Sequence, residues 1–564
     1  MPKGWLEKAI SEGHINYIDY DKLTDPIMIG IGGIGKVFKY EWRDSELTVA
    51  LKSLKVDTNI DELIIKDFIN ELKLLRRVSY HPNIISFYGV TKTQSGIILE
   101  NLRKKAQEYF VQGKFLKALE LFEEILRNNQ HSLKDQENAT TWDLSCKCSR
   151  SENLDELTKA LRKDTTLTSL DLSSNKLGLF GVKAIADILC KNTTLISLNL
   201  KGNDLGSGGG KVLADALCKN IILKDLNLAD NDLGLEGGKV LADALYKNCM
   251  LASLNLEGNN LGSIGGKALA DALNNTLLTS LNLRSNNIGP EGGKALADAL
   301  CNNTLLNSLD LQFNNLGLSG GYALVEALCK NTTLKNLNLR DNDLKGGEAL
   351  VDALCKNTTL TYLDLRSNGL GSEGVKALTD ALCKNFTLIS LNLQSNGLGS
   401  EGGRALADTL CRNSALRDLN LQENNLGPEG GKALADALCK NFTLTSLNLS
   451  RNELESEGGK ALADALCKNS TLKDLNLTGN RLGLEGGKAL ADSLCKNSTL
   501  TSLNLQLNRV LSEGGKALAD ALCRNSTLTF LDLQENKLWS EGGKALANAL
   551  YIRDLILANQ ILAD

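Results

Sequence analysis

From residue 167 onward the chain repeats itself. Leu-x-x-Leu-x-Leu-x-x-Asn recurs fourteen times, from Asn175 to Asn536, at an interval of 28 residues. The interval slips only twice, to 27 before Asn286 and to 26 before Asn368. A period of this length marks a unit that cannot bury its apolar face alone and must stack on copies of itself. The repeat therefore predicts an elongated array with a continuous core, and an array of this kind is a surface for holding other molecules.

One repeat shows how the unit is built. Leu195, Leu198 and Leu200 alternate with polar residues, the period of a strand with one buried face. Asn203 closes the strand, its amide satisfying loop backbone groups, and Leu205 continues the core. Gly206 to Gly210 read as a turn. Val212, Leu213, Ala216 and Leu217 fall at helical spacing, and Asn220 reads as the stop. A strand needs about 4.8 Å of width and a helix about 10 Å. Stacking like on like therefore bends the array, strands inside and helices outside. The ends need caps: Glu156–Lys163 reads as a lone first helix and Ile552–Ile561 as a worn last strand.

These residues resemble the leucine-rich repeats of the ribonuclease-inhibitor type, found also in nucleotide-binding immune receptors. The resemblance implies an α/β horseshoe solenoid of about 14 repeats of 28 residues. It also implies a right-handed coil that binds a protein partner on its concave face. Most inward side chains between the Leu residues are Ser and Asn, such as Ser197, Asn199, Ser446 and Asn448. Arg284, Phe313, Arg340, Tyr362 and Arg366 break that monotony. Arg and aromatic residues are favoured interface anchors, so these five are the candidate partner-binding set. Phe530 stands alone far along the array. On the outer helices, Asp243–Lys247 is an i,i+4 pair of a solvated face.

Eleven of the fourteen Cys share one repeat position, at the end of each helix. Their ladder is too widely spaced for disulfides and supplies no metal cluster, so they read as small buried hydrophobes. Asn-x-Thr sequons at Asn192, Asn331, Asn357, Asn385 and Asn441 recur in one turn and read as repeat architecture. Net charge is −4, which points away from nucleic acid and membrane surfaces. Many free thiols, no apolar run of transmembrane length and no h-region in Met1–Tyr20 point to a cytoplasmic protein.

The N-terminal part follows a different pattern. Gly30, Gly32 and Gly35 form Gly-x-Gly-x-x-Gly, followed by Val37. Gly30–Lys36 also spells most of a phosphate loop, but that loop needs Ser or Thr next and then a helix. Val37–Trp42 reads as a strand instead. Val49-Ala50-Leu51-Lys52 follows, then Glu71, His81-Pro82-Asn83, Phe87-Tyr88-Gly89 and Ile97-Ile98-Leu99-Glu100. Residues Leu23 to Leu102 together resemble the small lobe of a protein kinase of the tyrosine-kinase-like group. The resemblance implies that Gly30, Gly32 and Gly35 approach phosphates, that Val37 and Ala50 cover adenine, and that Lys52, steadied by Glu71, pairs with the α/β-phosphates.

The rest of a kinase is missing from the sequence. None of the three His precedes Arg-Asp, and no Asp-Phe-Gly occurs. No catalytic residue and no metal ligand is therefore assigned. ATP is the nucleotide implied, held weakly because half its usual pocket has no counterpart. Beyond Leu102, Gly113-x-Phe115-x-x-Ala118-x-x-x-Phe122 resembles one tetratricopeptide-type hairpin.

The sequence thus divides into an extension (1–22), a kinase small-lobe-like α+β segment (23–102), a helical hairpin (103–130), a linker (131–152) and the repeats (153–564). The expected function is an intracellular scaffold or sensor acting through the concave repeat face, with an inactive kinase-like lobe. Alternatives are a kinase whose large lobe is supplied in trans or lost, a P-loop nucleotide-gated receptor, and a GTPase regulator.

Overall fold

The computed structural model describes residues 27–32, 35–42, 47–54, 94–127, 133–147, 151–164, 166–248, 250–345 and 348–563. The chain divides into two compact units, Met1–Trp142 with Arg150–Ser169, and Asp143–Ser149 with Leu170–Asp564. Among the described residues two sheets form. One has three antiparallel strands, β1 (Ile27–Gly32), β2 (Gly35–Trp42) and β3 (Leu47–Leu54). The other has 15 strands in strict chain order, from β4 (Thr141–Asp143) through β5 (Ser169–Asp171) to β18 (Phe530–Asp532).

Each repeat strand is three residues long and parallel to its neighbours, and equivalent residues face each other, as Leu309 faces Leu337 and Leu337 faces Leu363. The register is fixed because a one-residue slip would turn the Leu row outward. In the repeat dissected above, Leu195, Leu198, Leu200, Leu205, Leu213 and Leu217 are all buried, as the pattern predicts.

The refrain's Asn is the clamp between coils. Asn203 Nδ2 donates to the Leu172 carbonyl at 2.8 Å and to its own repeat's Leu200 carbonyl at 2.9 Å. Its Oδ1 accepts from the Asn175 N–H at 3.0 Å. The same arrangement persists at the far end, where Asn536 holds the Leu505 carbonyl at 2.7 Å and the Asn508 N–H at 3.0 Å. A three-residue strand leaves many loop groups without ladder partners, and the buried amide supplies them. A second row of Asn closes the helix-to-strand turn. Asn331 Nδ2 donates to the Leu300 carbonyl, and its Oδ1 accepts from the Thr333 and Leu334 N–H groups. The sequon residues Asn331, Asn357, Asn385 and Asn441 are buried in this role, and Asn192 is half-buried.

Three local expectations change. Gly206–Gly210 is not a turn: the helix starts at Gly206 and runs to Leu217. Only Gly206, at φ +62°, serves as a bend; Gly210 sits where a Cβ would lie 3.3 Å from the Gly237 Cα, so neighbouring helix backbones pack directly. The repeated Cys are not buried either. Cys218, Cys411, Cys467 and Cys495 are exposed and the others half-exposed. Each follows the last inward Leu by one residue, which rotates it off the core by about 100°. Finally, Ile552–Ile561 is not a strand but part of the helix Trp539–Ala563.

The polar stretch 131–152 is more structured than a linker. It holds the helix Leu133–Thr140 and β4. Trp142 and Leu144 stand 28 residues before Leu170 and Leu172, so a degenerate repeat precedes the fourteen regular ones. Its Asn position is Lys147, which hid it from the refrain.

In the first unit, helices Gln94–Val111 and Phe115–Arg127 form a hairpin turned at Gly113, φ +73°. The hairpin starts earlier than expected, so Ile97–Glu100 lies in its first helix. Phe115, Ala118, Leu119, Phe122 and Ile125 are buried. Phe110 meets Phe115 edge-on at 5.7 Å, and Trp142 packs on both. The helix Ser151–Lys163 covers the residues expected as a first cap. Among the described residues, no helix is long and apolar enough to cross a membrane, and no group of three or more His, Cys, Asp or Glu residues could hold a metal ion.

Candidate partner-binding face

Four neighbouring strands carry the irregular residues: β9 (Ser280–Asn282), β10 (Ser308–Asp310), β11 (Asn336–Asn338) and β12 (Tyr362–Asp364). Parallel in-register pairing stacks equivalent positions into rows. The row two residues past each strand reads Arg284, Gln312, Arg340, Arg366. Elsewhere this row is mostly Ser, Thr, Ala or Gln, so three guanidiniums are gathered by the fold alone.

The next residue in each repeat adopts a left-handed conformation, and Gly, Ser or Asp commonly fills it. Phe313 does so at φ +53°. That backbone costs a bulky L-residue about 1–2 kcal/mol. Two cations share its ring: the Arg340 and Arg284 guanidinium carbons lie 5.0 and 5.4 Å from its centroid. Cation–π contacts of this kind offset part of the strain, each contributing about 0.5–1 kcal/mol when partly exposed.

Carboxylates frame the cluster. Arg340 Nε donates to Asp341 Oδ2 at 2.7 Å. Arg284 Nε lies 3.4 Å from Glu257 Oε1, at an angle that makes no hydrogen bond. Asp310 accepts from the Gln312 backbone and side chain and from Asn338. Burial raises the Asp310 carboxyl above its ordinary range, against the lowering effect of the two Gln312 bonds and of Arg284. Tyr362 donates to Asp364 Oδ2 at 3.4 Å, and burial, then the Asp364 charge, push its phenol up to about 12. Beyond Tyr362 the face forms a groove of about 280 Å³ lined by Ser390, Asn392, Asp418, Ser446 and Asp474.

The structure thus brings Arg284, Phe313 and Arg340 into direct contact and sets Arg366 beside Arg340. Tyr362 belongs to the adjoining groove. Sequence reasoning missed Gln312, Asp310 and Asp364. The available signal was Asp in a strand position usually filled by Asn. On the outer helices the regular contact is Glu to Lys at i,i+3, such as Glu236–Lys239 at 2.9 Å. The expected i,i+4 type appears at Asp352–Lys356.

The nucleotide set lies on the first sheet. Gly32 pairs with Gly35 across the tip of β1–β2, with an irregularity between Met28 and Gly30. Val37 stands opposite Lys52, and Ala50 opposite Lys39. Glu71 lies outside the described residues. The strand at Gly35–Trp42 stands where a phosphate loop requires a helix, and this overturns the P-loop alternative.

The Leucine Rich repeat family matches fourteen segments between residues 163 and 547, more than half of the chain. The chain belongs to the leucine-rich-repeat family. The protein kinase domain family matches residues 24–139, which runs past Leu102 into the helical hairpin. Mitogen-activated protein kinase kinase kinase 10 of Xenopus laevis is 37% identical over 73 residues, 13% of this chain and 7% of its own length. A probable serine/threonine-protein kinase of Dictyostelium discoideum is 30% identical over 84 residues, 14% of this chain and 9% of its own. The chain thus spans less than a tenth of these curated relatives. Among solved structures, a chain of the yeast Rad7–Elc1 complex aligns with a TM-score of 0.41 and 19% identity, over 78% of this chain and 98% of that one. The leucine-rich-repeat protein LegL7 of Legionella pneumophila aligns with a TM-score of 0.31 and 23% identity, over 44% and 90%.

Proposed function

We propose that this protein is a cytoplasmic interaction scaffold that holds a protein partner on the concave, strand-lined side of its repeats. One observation carries the reading. A sheet face with a largely Ser/Asn background departs from it on adjacent strands, and the departures are Arg and aromatic residues, three of them in mutual contact. Photo-crosslinking from Ser308 on the strand row, against Lys267 on the helix row, tests it. Crosslinks to a protein from Ser308 alone are expected; crosslinks from the helix row alone would overturn the reading.

We propose further that the kinase-like lobe binds ATP weakly and transfers no phosphate. The Val37–Lys52 register supports nucleotide binding, while the sequence contains neither an Arg-Asp preceded by His nor an Asp-Phe-Gly. A thermal-shift titration of the full chain with ATP should show a small Lys52-dependent shift, with no transfer to a generic substrate. Turnover lost in Lys52→Met would instead establish the kinase alternative.

A further inference from the structure

The docking reading leaves the chemistry of the partner open, and the charge arrangement on β11 and β12 narrows it. Asn338 pairs with Asp364, and the Asp341 N–H donates to the Arg366 carbonyl at 2.9 Å. Arg340 and Arg366 are therefore direct neighbours on the same side of the sheet, about 4.8 Å apart along the row. Like charges so placed repel. Arg340 has Asp341 as a counter-charge, and Arg284 has Glu257 and Asp310 near it. Arg366 has no side-chain hydrogen bond or ion pair among the described residues, and its Nε is enclosed without an acceptor. Asp364 is already engaged by Tyr362, Asn392 and the Arg366 backbone.

A second imperfection lies in the same row. Gln312 is only 9% exposed, and its Oε1 has no donor. A buried polar atom without a partner is destabilising. A donor and an acceptor left open within one row, beside the Phe313 ring, mark a surface built for something it does not itself contain.

Resting on the docking reading, we infer that Arg366 and Arg340 receive a carboxylate from an acidic, extended segment of the protein partner, with the Phe313 ring as the apolar floor beside it. A single negative charge matches the single uncompensated guanidinium. A dianionic phosphate would meet the neighbouring Asp341 and Asp364 carboxylates. Bidentate Arg–carboxylate bonding supplies both charge and geometry. A peptide, rather than a free acid, also uses the half-buried ring and the polar rows on either side.

The test uses the full chain and a short fluorescent polyglutamate peptide, with a polyglutamine peptide of equal length as the neutral probe. Anisotropy should show polyglutamate binding that weakens with salt and falls about tenfold in Arg366→Gln, further in the Arg340→Gln/Arg366→Gln double variant. Exposed Arg509→Gln should leave it unchanged. Arg366→Gln removes no side-chain bond, so its unfolding transition should match the parent and exclude misfolding. Equal affinity for both peptides, or undiminished binding by the double variant, overturns the inference. The Ser308 crosslink, repeated in Arg366→Gln, separates the two ideas. A crosslinked partner with no polyglutamate binding sinks the carboxylate chemistry alone. Loss of crosslinking from the strand row in the parent sinks the docking reading beneath it.

Discussion

Two stretches of the same sheet behave differently. From β13 (Ser390–Asn392) to β17 (Ser502–Asn504) the strand-side rows are mostly Ser, Asn, Asp and Gln, and many of these side chains bond across to the adjoining repeat, as Ser390 does to Asp418, Asn448 to Gln422 and Thr478 to Asn504. From β9 to β12 the same rows hold three arginines with the Phe313 ring between two of them, and there Arg284 Nε, Gln312 Oε1 and Arg366 Nε lack hydrogen-bond partners. The backbone is the same in both. The regular stretch keeps its polar groups satisfied; the irregular one departs from the rule where recognition is proposed.

The sharpest way to break this contrast is to strike the clamp that both stretches share. Asn452→Ala removes bonds to the Leu421 and Leu449 carbonyls and the Asn424 N–H. It should cost about 3 kcal/mol or more, read from the urea midpoint, while Asn448→Ala on the half-buried strand row should cost about 1 kcal/mol. Equal losses would mean the buried row is not what joins the coils.

Next comes helix packing. A Cβ at Gly403 would sit 3.0 Å from the Gly430 Cα. Gly403→Ala should destabilise by about 1–2 kcal/mol in the same assay.

Phe313→Gly then separates stability from recognition. It relieves left-handed strain but removes two cation–π contacts of similar size, so stability should change by under about 1 kcal/mol while partner binding weakens. Leu507→Gly, at the equivalent position with φ +60°, should stabilise without touching binding.

The smallest effect concerns Asp310. Its folded-state pKa is raised, chiefly by burial, above the ordinary 3.8. The fold therefore binds its proton more tightly than the unfolded chain does. Its favourable contribution is complete below pH 3.8 and is lost as pH rises through the raised value. Asp310→Asn, the residue most repeats carry, should raise Tm slightly at pH 7, and the gain should shrink as pH falls to 3.8 and below.

Much of this was legible in the chain. Leu and Asn at fixed spacing dictate the strands, the core and the coil-to-coil clamp, because each has one physical job. Arg284, Phe313, Arg340, Tyr362 and Arg366 stood out against a plain background for the same reason. The misreadings share a cause. Cys218, Gly210 and Ile552 were judged by residue type, whereas a turn of helix decides which way Cys218 faces and a neighbouring backbone decides why Gly210 is small. Gln312 was invisible because its open acceptor depends on what Asp310 and Asn338 do across the strands. Trp142 escaped because its repeat carries Lys147 where the refrain has Asn.

The amide clamp has a last implication. Asn203 grips its own coil and the one before it, and every later clamp does likewise. Excising a whole cassette therefore leaves each remaining amide facing an equivalent neighbour. Such a protein can lengthen or shorten by duplication and deletion without relearning how to fold, and its reach becomes a quantity that evolution adjusts in whole steps.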